Sequence, residues 1–127
     1  MALIPLNTFK TKTYLLNNIS TQTVYTAPVG VTSIVLMAQI SNLSTVTQYV
    51  NVAHHRNLPI LADAQGFGAQ APDTDSYLVR DFPIPENDAA TVLSGKLIIE
   101  TLDSLRASSL TSGTCQLILS ILETAND

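Results

Sequence analysis

Few side chains in this sequence have the means to do chemistry: the adjacent His54-His55, the single Cys115, and two close pairs of acids, Asp73 with Asp75 and Glu86 with Asp88. Two neighbouring imidazoles suggest a metal site, because neutral imidazole is a common zinc ligand. Successive residues of a strand point to opposite faces, however, so the pair can serve one ion only across a bulge and with help from Asp63, Asp73 or Asp75. A strand-end pair making ordinary hydrogen bonds or interface contacts is the simpler reading. Cys115 alternates with apolar neighbours, the setting of a buried, inert thiol rather than an activated nucleophile. The acid pairs lie in turns near proline with no pocket implied, where solvated carboxylates are ordinary and a general acid/base couple is not. There is no nucleophile elbow, no glycine-rich phosphate loop, no HExxH and no paired CxxC. No catalytic residue, metal ligand or cofactor is assigned, and the chain reads as a protein that is not an enzyme.

The elements that position these residues are strands. Apolar residues recur with period two almost everywhere, not 3.6. Eight strands are predicted, at residues 9–16, 21–26, 31–40, 46–54, 77–82, 90–100, 104–109 and 114–122, separated by turn residues such as Asn17-Asn18, Pro28-Val29-Gly30 and Ser112-Gly113. In the third strand Ile34, Leu36, Ala38 and Ile40 share one face and Val35 and Met37 the other, so it is expected to be covered on both sides. Val46, Val50 and Val52 alternate with Thr47, Tyr49 and Asn51 in the fourth. Pro83-Ile84-Pro85 is expected to stop the fifth strand. Gly95 marks a bulge or bend in the sixth, and one helical turn at residues 87–90 is the most helix the pattern allows. In the last strand Cys115, Leu117, Leu119 and Ile121 share a face. The fold class is all-β: a single β-sandwich, jelly-roll or immunoglobulin-like, of about eight antiparallel strands.

Composition agrees with one domain. The chain has 127 residues, of which 46% are hydrophobic and only 13% charged, about half the usual charged share. So little charge leaves too few groups to coat a free monomer, and part of the surface is expected to be covered by a partner or by copies of the chain. The net charge of −4 argues against nucleic-acid binding. Its distribution is uneven: residues 1–62 hold Lys10, Lys12 and Arg56 with no acid, whereas all ten acids follow against Arg80, Lys96 and Arg106. Two such poles suit head-to-tail contacts or a charged lattice, provided that the asymmetry survives folding. One cysteine allows no intrachain disulfide. Residues 1–12 lack the order of a signal peptide, and no apolar run approaches the length of a membrane span.

Two segments do not fit the alternation. Residues 1–8 read as an extended N-terminal arm before a sandwich at 9–127, with Leu3, Ile4 and Leu6 placed nowhere in the pattern. Residues 56–76 are too long for a routine connection and carry Leu58, Pro59, Ile60, Leu61 and Phe67. Leaving such side chains in water costs about 1.5–3 kcal/mol each, which favours their use in contacts. These eight residues are the candidate interface.

The segments Phe9-Lys10-Thr11, Thr23 to Val31 with its YTAPVG, Ile34 to Asn42, Leu78 to Pro85, Asn87 to Ala90, GKLIIE at 95–100 and the ending Leu117 to Glu123 resemble a group of small virion structural proteins of tailed bacteriophages, including cyanophages. The resemblance covers most of the chain and implies a β-sandwich assembled on the virion without catalysis, made in the host cytoplasm. It implies other virion proteins as partners, capsid or tail subunits, and self-association, with a trimer by analogy. The preferred expectation is a capsid decoration, or cement, protein on the head exterior, without nucleic-acid or membrane partners. The alternative is a tail, neck, baseplate or fibre component acting in tail assembly or host-surface recognition, for which Phe67 and Tyr77 are the candidate aromatic contacts.

Overall fold

The computed structural model describes residues 7–16, 20–56 and 75–125. Nine strands are found among them: β1 (Asn7–Leu16), β2 (Gln22–Thr26), β3 (Val31–Asn42), β4 (Gln48–His55), β5 (Asp75–Ile84), β6 (Ala89–Thr91), β7 (Leu97–Ile99), β8 (Ser104–Ser109) and β9 (Cys115–Ala125). One antiparallel sheet has the order β1-β9-β3-β6, with β7 also paired to β3; the other runs β2-β8-β4-β5. The pairs β4·β5, β3·β6/β7, β2·β8 and β1·β9 are nested. They are the rungs of one long hairpin whose tip is the 56–75 connection. Rolling that hairpin creates the cross-pairs β3·β9 and β4·β8 and gives a jelly roll, the first of the two sandwich types expected.

The core lies where the sheets face each other. Leu16, Val35, Ile40, Val50, Val52, Ile84, Ile99, Leu105, Leu117, Leu119 and Ile121 are each at most 1% exposed. The predicted inner face of β9 is the observed one, and Val50 and Val52 lie inside with Tyr49 outside.

Several boundaries differ from expectation, each for a local reason. The predicted sixth strand is two short strands, because the chain leaves β3 between Thr91 and Leu97, around Gly95. Together β6 and β7 fill one strand position, which raises the count from eight to nine. β5 runs through Pro83 to Ile84 because it is an edge strand with a single neighbour, where a missing N–H goes unnoticed. β4 starts at Gln48 because the Val46 carbonyl is taken by Asn42 Nδ2 at 2.8 Å and Ser44 Oγ at 2.9 Å. The allowed helical turn is instead a β-turn, Asp88 N–H donating to Pro85 O at 3.2 Å, with Asn87 at φ 55°. β1 starts at Asn7, so the last two residues of the predicted arm belong to the sheet.

The third strand corrects the face assignment. Val35 pairs with Ile121 and Met37 with Ser120, so Leu36 is an extra residue in a bulge. The bulge switches the alternation: Ser33 and Val35 point inward before it, Ala38, Ile40 and Asn42 after it. Ile34 therefore lies on the outer face, opposite to Ala38 and Ile40. That outer face is only half-covered in β3, not buried as expected.

Turns close the ends. Val31 N–H donates to Pro28 O at 3.1 Å with Gly30 at φ 75°, a conformation that glycine adopts without the Cβ penalty.

Candidate interaction surface

The ladder registers assign the paired side chains of the five-stranded sheet to its two faces. Inward from β1 point Lys10, Lys12, Tyr14 and Leu16, opposite Ile121, Leu119, Leu117 and Cys115. The outward rows are Asn7–Thr124–Thr32, then Phe9–Leu122–Ile34–Ile98, Thr11–Ser120–Met37, Thr13–Ile118–Gln39–Thr91 and Leu15–Gln116–Ser41–Ala89. None of these side chains is charged. A solvated sheet face ordinarily carries polar and charged residues, and this one carries threonine, serine, amides and a continuous apolar row. Phe9 is 73% exposed and Ile98 57%, with Leu122 and Ile34 half-buried between them. The second sheet differs. Along it His55, Asp75 and Arg106 form one charged knot, with Asp75 Oδ1 2.8 Å from His55 Nδ1 and 3.5 Å from the Arg106 guanidinium.

The inward lysines lie at a rim, not in the core. β1 and β2 are the edges of their sheets on one flank and leave a groove of about 390 Å³ between them. In it the Lys10 ammonium is 3.2 Å from Glu123 Oε1. The Tyr25 hydroxyl donates to Glu123 Oε2 at 2.5 Å and lies 2.6 Å from Ser33 Oγ. Burial, then the bond to Glu123, raises the Tyr25 pKa well above the ordinary phenol range. This chain of contacts locks β1, β2, β3 and β9 together, and its phenol stays protonated. It is a structural clasp.

At the end of the sandwich where β4 stops, the two predicted histidines part as neighbours on a strand must. His55 meets Asp75. His54 points inward beside Leu105, its Nε2 3.9 Å from Asp103 Oδ2. Burial lowers the His54 pKa, Asp103 opposing and Arg56 adding to the shift. Arg56 bridges Asp103 at 3.1 Å and Glu100 at 3.3 Å. Among the described residues no three His, Cys, Asp or Glu side chains are grouped as a metal site would require. Cys115 is fully buried and its thiol pKa is pushed up by that burial. Asp75 is held in the ion-pair knot, and Glu86 and Asp88 flank the exposed β5–β6 turn. Tyr77 carries the Arg80 guanidinium 5.2 Å from its ring centroid, so one face of that aromatic is taken.

The charge asymmetry of the sequence survives folding only in part, since Lys10 is paired with Glu123, Arg56 with Glu100 and Asp103, and Arg80 lies on β5. Lys10 and Lys12 lie on the β1/β2 flank, whereas Asp81, Glu86 and Asp88 lie on β5 and its turn to β6, at the opposite edges of the two sheets. Leu3, Ile4, Leu6, Leu58, Pro59, Ile60, Leu61 and Phe67 lie outside the described residues, as do Asp63 and Asp73. Their points of attachment do not. Asn7 pairs with Thr124 and His55 with Ser104, and the Ala27–Asp103 hydrogen bond ties these places to one end of the sandwich. Both predicted interface segments are therefore attached to the sandwich at the same end.

The sheet face was missed in the sequence, although its signal was present. In Asn7-Thr8-Phe9-Lys10-Thr11-Lys12-Thr13 both lysines share a phase, and the other phase is uncharged.

No protein-family model matches the chain, and no curated protein matches it, so the phage resemblance rests on its motifs alone. Among solved structures, the chain is similar to a protein from work on Bacillus endospore appendages described as disulfide-linked pili. The TM-score is 0.50 at 4% identity, covering 100% of this chain and 98% of that one. A chain from the T13 IBDV viral particle aligns with a TM-score of 0.36 at 11% identity, over 96% of this chain and 32% of that one. The first likeness supports the fold.

Proposed function

We propose that this chain is a non-enzymatic structural protein of a virion, set on the exterior of the head as a capsid decoration protein. The charge-free outer face of the β1-β9-β3 sheet carries the reading. A surface of that chemistry is stable where another surface covers it, and a chain with 13% charged residues has assigned none of them there. The phage-like motifs supply the setting. The end of the sandwich to which the 1–6 and 56–75 segments are attached is the natural grip on neighbouring shell subunits, and the sheet face is left for contacts within the decoration layer. With Cys115 buried, these contacts are non-covalent.

The test is the copy number and position of the protein in intact particles, by averaged electron cryo-microscopy. Hundreds of copies ordered on the icosahedral shell are expected. A handful at the neck or tail tip would overturn the decoration role in favour of the tail or fibre reading.

A further inference from the structure

We infer that the outer face of the five-stranded sheet is covered by the same face of a second copy, in a back-to-back dimer of jelly rolls. The inference deepens the proposal above and rests on its reading that this face is covered in the assembled protein.

The chemistry of the face selects its occupant. A partner presenting carboxylates or ammonium groups would strip water from them and find no opposite charge anywhere among the outward rows, a costly arrangement. A surface rich in uncharged polar and apolar side chains suits it, and the chain itself displays one. In an isologous contact each patch meets its own copy, so a charged face would set like charges together; this face has none to repel. The lysines of β1, which would spoil the contact, point to the other side of the strand.

Geometry agrees. Strands about 4.8 Å apart and rising about 3.3 Å per residue make four strands by ten residues a panel of about 600 Å². Two panels bury about 1,200 Å², the lower bound of a specific, stable interface. Stacked sheets pack about 10 Å apart with strands aligned within about 30°, the angle set by their twist, and their facing side chains interdigitate. The Phe9–Leu122–Ile34–Ile98 row crosses the sheet at right angles to the strands and supplies the apolar centre of such a packing.

The experiment is sedimentation equilibrium of the full chain from about 1 to 100 μM, beside a double variant Phe9→Lys/Ile98→Lys. Both positions are largely exposed, so the variant should keep the wild-type circular dichroism and a cooperative thermal transition, its midpoint lowered only by the lost stabilisation of the dimer. The wild type is expected at twice the chain mass of 13.6 kDa, and the variant at the single-chain mass, with association at least 100-fold weaker. If the double variant fails to fold, Thr11→Arg, an exposed threonine on the same face, takes its place with the same expectation. A wild type that stays at single-chain mass overturns the inference. So does a dimer or trimer that persists in the folded variant, which would place the contact elsewhere, for example on the exposed Leu43, Val46 and Leu110 at the far end. Binding to phage heads separates the two proposals: a monomer that decorates heads sinks the dimer alone, whereas a dimer that ignores them sinks decoration alone.

Discussion

A half-buried histidine gives this fold a pH response of definite sign. His54 sits on the inner face of β4, its side chain 18% exposed, with burial outweighing the attraction of Asp103. Its folded-state pKa therefore lies below the ordinary 6.5. The unfolded chain takes up the proton first, so stability is full above that value, falls as pH drops from 6.5 toward the folded-state pKa, and levels off below it. The thermal midpoint of the wild type is expected to fall between pH 7.5 and 5.5 more steeply than that of His54→Asn, since the difference isolates His54 from the carboxylates and from His55. Equal slopes would show that protonated His54 finds water in the folded state. At this scale the sequence was informative about direction and silent about partners. The opposed orientation of His54 and His55 and the burial of Cys115 follow from alternation alone. The Tyr25–Glu123 clasp does not, although Glu123 continues the inward phase of Cys115, Leu117, Leu119 and Ile121. An acid on a buried phase requires partners, and only the folded topology shows that Tyr25 and Lys10 provide them.

Among the elements, alternation located the strands well and placed their interruptions less well. A bulge is one residue long, and nothing in Ile34-Val35-Leu36-Met37 distinguishes the extra residue, since all four are apolar. The assignment of faces therefore carried through β3 with the wrong phase on one side of Leu36. The break between β6 and β7 was legible as Gly95 but not its extent. Pro83 looked like a stop because its tolerance depends on an edge position, which is a property of the sheet. The bulge makes a prediction that a regular strand would not. Deleting Leu36 leaves Ser33, Val35, Ala38, Ile40 and Asn42 in one unbroken inward phase against β9. The deletion variant should fold, with a loss of no more than about 2 kcal/mol from the side chain removed. Deleting Val50 from β4, which pairs with β8 on one side and β5 on the other, inverts a strand end and should abolish folding. Denaturant unfolding of both variants decides it; a ΔLeu36 chain that cannot fold would mean that the bend imposed by the bulge is itself required to close the sandwich.

For the whole molecule, the proposed assembly rests on where charge is missing, the outer face of the five-stranded sheet. All-β architecture was readable from a period-two sequence, and low charge raised the expectation that some surface is covered. Which surface is uncovered was not, because it emerges only when β1, β9, β3 and β7, distant in sequence, lie side by side in register. The folded molecule offers two distinct ways to meet a copy of itself: the charge-free sheet face, and the opposed flanks carrying Lys10 and Lys12 against Asp81, Glu86 and Asp88. Salt distinguishes them. Contacts between exposed charges are screened beyond about 8 Å at physiological ionic strength, so flank-to-flank association should weaken steeply as sodium chloride rises. Apolar burial responds in the other direction to excluded salts such as sulfate. If the sheet face carries association, the dimer dissociation constant should change less than about threefold between 0.05 and 0.5 M sodium chloride and should tighten in ammonium sulfate, while Lys12→Glu leaves it unchanged. A dissociation constant that rises tenfold or more with sodium chloride, and again on Lys12→Glu, would assign association to the flanks and make the assembly a head-to-tail one, which closes as a ring or grows as a filament according to the rotation between neighbours.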